Sequence, residues 1–125
     1  MAQKEKINAV WPKRGEVHLV NFGNTVGSEL NKTRPVVVIQ NDIGNQFSPV
    51  VIIAAISSKF GKALYPTEVA IRKSEGGLHT DSVVLLNQVQ TISKERLIKK
   101  LGKVEPKTLN KINSAIIISL GLVKI

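Results

Sequence analysis

Thr33-Arg34-Pro35-Val36-Val37-Val38-Ile39-Gln40-Asn41-Asp42-Ile43-Gly44-Asn45-Gln46-Phe47-Ser48-Pro49-Val50-Val51-Ile52-Ile53-Ala54-Ala55-Ile56-Ser57-Ser58 is the stretch that decides the fold. Two β-branched apolar runs, 36–39 and 50–53, flank a polar segment containing Asn41, Asp42, Gly44 and Asn45. Branched side chains suit a pleated, packed surface, and Asn, Asp and Gly suit a chain reversal. The pattern predicts two adjacent strands, 34–40 and 49–57, joined by a wide turn. If they pair antiparallel, Arg34 before the first run and Ser57 after the second meet at one end of the sheet. A guanidinium beside a hydroxyl suits an oxyanion or a phosphate.

The whole chain has 125 residues, of which 42% are apolar and 22% charged, the makeup of one globular domain. Eighteen basic against nine acidic residues give a formal charge of +9, which favours a polyanionic partner. Cysteine is absent, so disulfides and thiolate metal sites are excluded. No apolar run approaches the roughly 20 residues of a membrane span. Lys4 and Lys6 have no apolar segment behind them, so no secretion signal is expected and a cytoplasmic location is.

In chain order, residues 1–12 read as a flexible extension ending at Trp11-Pro12, and 13–125 as a single domain. Strands are expected at 16–22, 66–71, 81–86 and 88–92, with a bulge or bend at Asn87 between the last two. Residues 23–32 form a long polar loop, of the kind that often carries function. Its glycines lack the spacing of a phosphate-cradling loop, and no Gly-Lys-Ser/Thr follows. A short helical turn is allowed at 58–62. After Ile92 the period changes: Ser93 reads as an N-cap for a helix carrying Leu97, Ile98 and Leu101 and stopped by Gly102. Glu105-Pro106 opens a second helix with Leu109, Ile112, Ile116 and Leu120 on one stripe and Gly121 as its stop. Strands before helices predict a small antiparallel barrel or curled sheet with helices appended.

The chemistry narrows by elimination. Asp42 and Asp81 are the two aspartates, far from any carboxylate cluster, whereas two-metal nucleases need several carboxylates to hold ions about 4 Å apart. His18 and His79 are not at ligand spacing, and a histidine pair acting as acid and base would need two unrelated segments to meet. Arg34 and Ser57 are then the best candidate pair. In RNA the 2′-hydroxyl is an internal nucleophile, so an enzyme need only align it, stabilise the charge at phosphorus and move protons.

Lys13-Arg14-Gly15-Glu16-Val17, Gly27-Ser28-Glu29, the run from Arg34-Pro35 to Asn41-Asp42, Asn45-Gln46-Phe47-Ser48-Pro49, Ala54-Ala55-Ile56-Ser57 and Asp81-Ser82-Val83-Val84-Leu85-Leu86 together resemble the MazF/PemK family of toxin endoribonucleases. The resemblance runs in order through residues 13–122. It implies an SH3-like antiparallel β-barrel of the CcdB/PemK type with a C-terminal helix, a homodimer, and a type II toxin–antitoxin module. It implies metal-independent cleavage of single-stranded RNA at short sequences, without a cofactor, leaving a 2′,3′-cyclic phosphate and a 5′-hydroxyl. The implied inhibitor is an acidic, MazE-like antitoxin, and no membrane is involved.

The family's catalytic arginine falls on Arg34 and its catalytic threonine on Ser57, while the substrate-covering loop falls on 23–32 with Gly27, Ser28 and Glu29 at its core. Thr33, Asn45, Phe47, Asn87 and Gln88 are the further RNA contacts the resemblance implies. Three positions depart from the family pattern: Ser57 replaces the usual threonine, Asn87 the usual glutamate and Gln90 the usual arginine. A catalytically decayed binding module on the same barrel is the alternative. A gyrase poison of the CcdB type fits the Arg-Pro and Ala-Ala-Ile-Ser contexts less well.

Overall fold

The computed structural model of the chain describes residues 11–24 and 31–124. Its strands are β1 (Glu16–Asn24), β2 (Asn31–Val38), β3 (Val50–Ser57), β4 (Glu68–Ile71), β5 (Ser82–Ser93) and β6 (Leu97–Lys103). Helices α1 (Asp42–Phe47) and α2 (Pro106–Ser119) and two 3-10 turns, Glu75–Gly77 and Lys94–Arg96, complete it. The strands form one antiparallel sheet in the order β4-β5-β3-β2-β1-β6.

Both faces of the central strands are buried, which is why they read as continuous apolar runs rather than alternating ones. On one face Val17, Val37, Ala54, Ile56 and Val84 pack with Ile112 and Ala115 of α2. On the other, Val20, Val36, Val38, Val51, Ile53 and Ile92 form a second core as the sheet curls. Among the described residues the hydrogen-bond ladder does not close between β4 and β6. The Glu75–Gly77 turn fills that seam instead, lying against Leu101 and Gly102 of β6. The approach is close enough that a Cβ on Gly102 would stand 2.6 Å from the Gly76 carbonyl carbon.

Three expectations are corrected. Residues 93–102 are not a helix: a 3-10 turn capped by Ser93 leads into edge strand β6. Leu97 and Leu101 are four apart, a spacing that puts residues on one side of a helix and equally of a strand. Pairing with β1 decides for the strand, and two bulges in that pairing turn Leu97 toward one core and Leu101 toward the other. Gly102 permits the turn's approach rather than stopping a helix. Lys99 and Lys100, which fall within the span expected to be helical, therefore stand on a sheet edge. The 41–49 connection is helix α1 rather than an open turn: the Asn41 side chain caps it by accepting from Gly44 N at 2.8 Å. Residues 58–62 carry no helical turn.

The other expected strands and the second helix are present with shifted ends: β1 runs to Asn24 and β2 starts at Asn31, which shortens the loop expected at 23–32, and 81–86 and 88–92 join in the single strand β5. Asn87 does sit at a bulge, where β5 pairs Leu85 with Ala55 but Val89 with Ala54. α2 begins with proline at its first turn, and Gly121 follows it at φ +72°. Of the 1–12 segment, only Trp11 and the buried Pro12 lie within the described residues. Among those residues no helix is long and apolar enough to cross a membrane.

Candidate active site

Strands β2 and β3 pair Val36 with Ala55, Val37 with Ala54 and Val38 with Ile53. Continuing this register two residues past the Val36–Ala55 pair brings Arg34, itself paired with Val20 of β1, across from Ser57. Both line a groove of about 760 Å3 at that end of the sheet. Leu19, Ile56 and Leu101 give it apolar walls, and Thr33 borders it beside Arg34.

Ser57 lacks the methyl that narrows a threonine rotamer, yet its hydroxyl is held. It accepts from Lys59 N at 3.0 Å and donates to Lys59 O at 3.2 Å. Arg34 is exposed and commits one N–H, donating to its neighbour's carbonyl, Thr33 O, at 3.0 Å. A guanidinium has five N–H donors, so the fork keeps donors for an incoming anion.

The groove also gathers Lys59, His79 and Lys99, three residues that sequence reasoning did not assign to it. Lys59 follows β3, and Lys99 stands on β6 opposite Leu19. His79 comes from the 72–81 loop, which is tied at its base by Lys73 N donating to Asp81 Oδ1 at 2.8 Å and by Ser74 N donating to Leu78 O at 2.9 Å. Among the described residues no carboxylate lines this groove. Cations thus face an apolar-walled slot, a setting that attracts a phosphodiester. No group of three or more His, Asp or Glu that could hold a metal comes together among the described residues. The two histidines are not neighbours either, since His18 lies in a different groove, bonded to Glu16 Oε1 at 2.9 Å.

The family of the chain follows from comparison with known proteins. A model of the PemK-like, MazF-like toxins of type II toxin–antitoxin systems matches residues 13–120. The chain belongs to this family. It is 49% identical over 110 residues to "Endoribonuclease MazF" of Staphylococcus saprophyticus, covering 88% of this chain and 92% of that one. It is 46% identical over 111 residues to "Endoribonuclease EndoA" of Bacillus subtilis, covering 89% and 96% respectively. Among solved structures, an endoribonuclease in complex with its cognate antitoxin from Mycobacterial species superposes with a TM-score of 0.74 at 28% identity, covering 91% of this chain and 99% of that one. A MazE-MazF complex from Deinococcus radiodurans superposes at 0.77 with 20% identity, covering 92% and 100%, a likeness of fold.

The remaining sites expected of a PemK-like, MazF-like toxin are dispersed. Gly27, Ser28 and Glu29 lie outside the described residues. Asn45 and Phe47 are on α1, at the opposite end of the β2–β3 hairpin from Arg34. Phe47 is 75% exposed, but Asn45 is fully buried. Its amide accepts from Gln40 Nε2 at 3.1 Å and donates to Gln40 O at 2.9 Å and to Asp42 Oδ1 at 3.0 Å. The Asp42 carboxyl lies below the usual carboxylate range, chiefly because Arg14 N donates to it and secondly because Asn45 does. Asn87 and Gln88 are exposed at the β5 bulge.

Proposed function

We propose that the chain is a toxin endoribonuclease that cuts single-stranded RNA without a metal. The observation that carries this reading is the β2–β3 register, which when continued brings Arg34 across from Ser57, in a cationic groove that no carboxylate lines among the described residues. The names of the two relatives at 46% and 49% identity support it.

In the proposed reaction Arg34 binds the scissile phosphate and stabilises the charge that builds on its non-bridging oxygens. Ser57 turns its hydroxyl from Lys59 O to one of those oxygens, while Lys59 and Lys99 hold the neighbouring phosphates. His79 removes the proton from the 2′-hydroxyl, a task closed to an arginine because its guanidinium is already protonated. The 2′-oxygen–phosphorus bond forms as the phosphorus–5′-oxygen bond breaks; the 5′-oxygen takes a proton from solvent water, and the His79 imidazolium returns its proton to solvent. The products are a 2′,3′-cyclic phosphate and a 5′-hydroxyl.

Gly27, Ser28, Glu29 and Thr33 contact RNA beside the cut in this reading, and Phe47, Asn87 and Gln88 contact it further along. Asn45 acts indirectly, by holding the helix that presents Phe47. An acidic, MazE-like antitoxin competes for the same cationic surface, in the cytoplasm. A second copy of the chain packs on the exposed Ile117, Leu120, Leu122 and Val123 at the end of α2.

The test is to incubate the protein with a long single-stranded RNA in EDTA and to map the ends. The native protein is expected to cut at one short recurring sequence and leave 5′-hydroxyls. Arg34→Ala should lower cleavage by at least about a hundredfold while keeping the native melting temperature and size. RNA bound but left whole by the native protein would favour the non-catalytic module. Undiminished cleavage by Arg34→Ala would remove that residue from the mechanism.

A further inference from the structure

A second groove, of about 560 Å3, lies between Trp11-Pro12, the start of β1 and the edge strand β6. Lys99 lines both this groove and the one holding Arg34 and Ser57, so the two are joined across β6. Resting on the ribonuclease reading, we propose that the Trp11 groove is a further seat for the same RNA strand. It takes a base against the indole and the adjoining phosphates on Lys94, Lys99 and Lys100.

Three features argue for this occupant. First, the indole is 38% exposed at the groove, and single-stranded nucleic acid is held by aromatic faces set among cations. Second, the one carboxylate that lines the groove among the described residues is already paired. Burial pushes the Glu16 carboxyl up, but bonds from His18, Lys13 N and Lys100 outweigh burial and leave it lowered. Those bonds measure 2.9 Å to His18 Nε2, 3.0 Å to Lys13 N and 3.1 Å to Lys100 Nζ. Glu16 thus stays ionised but paired, and does not repel a phosphate. Third, His18 lines the groove, and its buried Nδ1 is the one buried side-chain polar atom without a hydrogen-bond partner among the described residues. A base edge or ribose hydroxyl can supply that partner after a small ring movement. An acidic peptide would use the lysines but has no need of the indole face or the imidazole nitrogen.

Trp11 is the chain's single tryptophan, so its fluorescence reports on this groove alone. The probes are mixed-sequence oligodeoxynucleotides of 12 and 4 nucleotides, which cannot be cleaved for want of a 2′-hydroxyl, and a hexaglutamate peptide. The expected result is salt-dependent quenching by the 12-mer, with a midpoint raised about tenfold by Lys94→Ala. The 4-mer should quench at concentrations at least about tenfold higher, because it cannot span both grooves. On long RNA, Trp11→Ala should raise KM about tenfold with kcat within about twofold, and Trp11→Phe should restore most of that loss. A 12-mer that binds by gel shift without changing the emission would overturn the proposal. So would quenching by hexaglutamate at or below the 12-mer's midpoint, which would give the groove to an acidic protein. Either result, with site-specific cutting intact, leaves the ribonuclease reading standing. Absence of both cutting and nucleic-acid binding would remove the two together.

Discussion

Replacing Asn45 separates a structural role from an RNA-contacting one. Its side chain is wholly buried and makes three hydrogen bonds, two with Gln40 and one with Asp42. Asn45→Ala deletes all three. Gln40 Nε2 keeps its bond to Val50 O at 3.0 Å, so the donor is not stranded. The Gln40 carbonyl, on a residue only 7% exposed, does lose its amide partner. Each lost bond costs about 1 kcal/mol net, and a stranded buried acceptor about 1–3 kcal/mol, with overlap between the two. The expected destabilisation is about 3 kcal/mol, roughly 10 °C in melting temperature for a domain of this size. Asn45→Asp should be worse at neutral pH, since it turns an oxygen toward both Gln40 O and Asp42 Oδ1. Protonation restores a donor there, so the folded state raises that carboxyl's pKa, and the excess penalty should shrink as pH falls toward about 4. The assay pairs thermal unfolding by circular dichroism with RNA cleavage per folded molecule. A melting temperature within about 2 °C of native, with cleavage lost, would refute the structural account and make Asn45 an RNA contact.

Two further outcomes test the loop that carries His79. His79→Gln should lower cleavage by about a hundredfold or more; a rate within about twofold of native would exclude a proton-transfer role. Gly77→Ala puts a side chain at φ +77° and overlaps the Leu101 carbonyl oxygen, whereas Gly121→Ala at φ +72° meets nothing within 4 Å. The first should therefore destabilise by at least about 2 kcal/mol more than the second, and equal melting temperatures for the two variants would refute the close packing of the turn on β6.

How much was legible in the sequence follows from how local each signal was. The β2–β3 pair was readable because two branched runs buried on both faces tolerate few other placements. Helix α2 was readable because proline, a long apolar stripe and a glycine agree over fourteen residues. β6 was not. Its Ser93 cap is real, accepting from Glu95 N at 3.3 Å, but it closes a single turn. What makes 97–103 a strand is the open edge of β1, a partner roughly eighty residues earlier whose demand no local window contains. The error carried into the site. A helix over 93–102 holds Lys99 away from β1, so its place opposite Leu19 and in the groove has no local signal. His79 was missed for a related reason, since the seam between turn and β6 that fixes its loop depends on the same strand.

The Arg34–Ser57 pair owes its geometry to the core rather than to any bond between the two side chains. Val36 and Val38, with Ile53 across from Val38, are sealed in one apolar cluster, while Val37 and Ala54 are sealed in the other. Slipping β2 against β3 by one residue would drive each set onto the opposite face and empty both cores. The same slip would put Arg34 beside Ile56 or Ser58 instead of Ser57. The register that buries the valines is thus the register that assembles the site, and its cost of error is the stability of the whole sheet. Within that frame a serine can replace a threonine, because the rotamer restraint lost with the methyl is supplied by the two hydrogen bonds to Lys59. The hydroxyl's freedom is then set by the 57–59 turn, so substitutions that loosen this turn should weaken catalysis more here than in a relative that keeps the threonine.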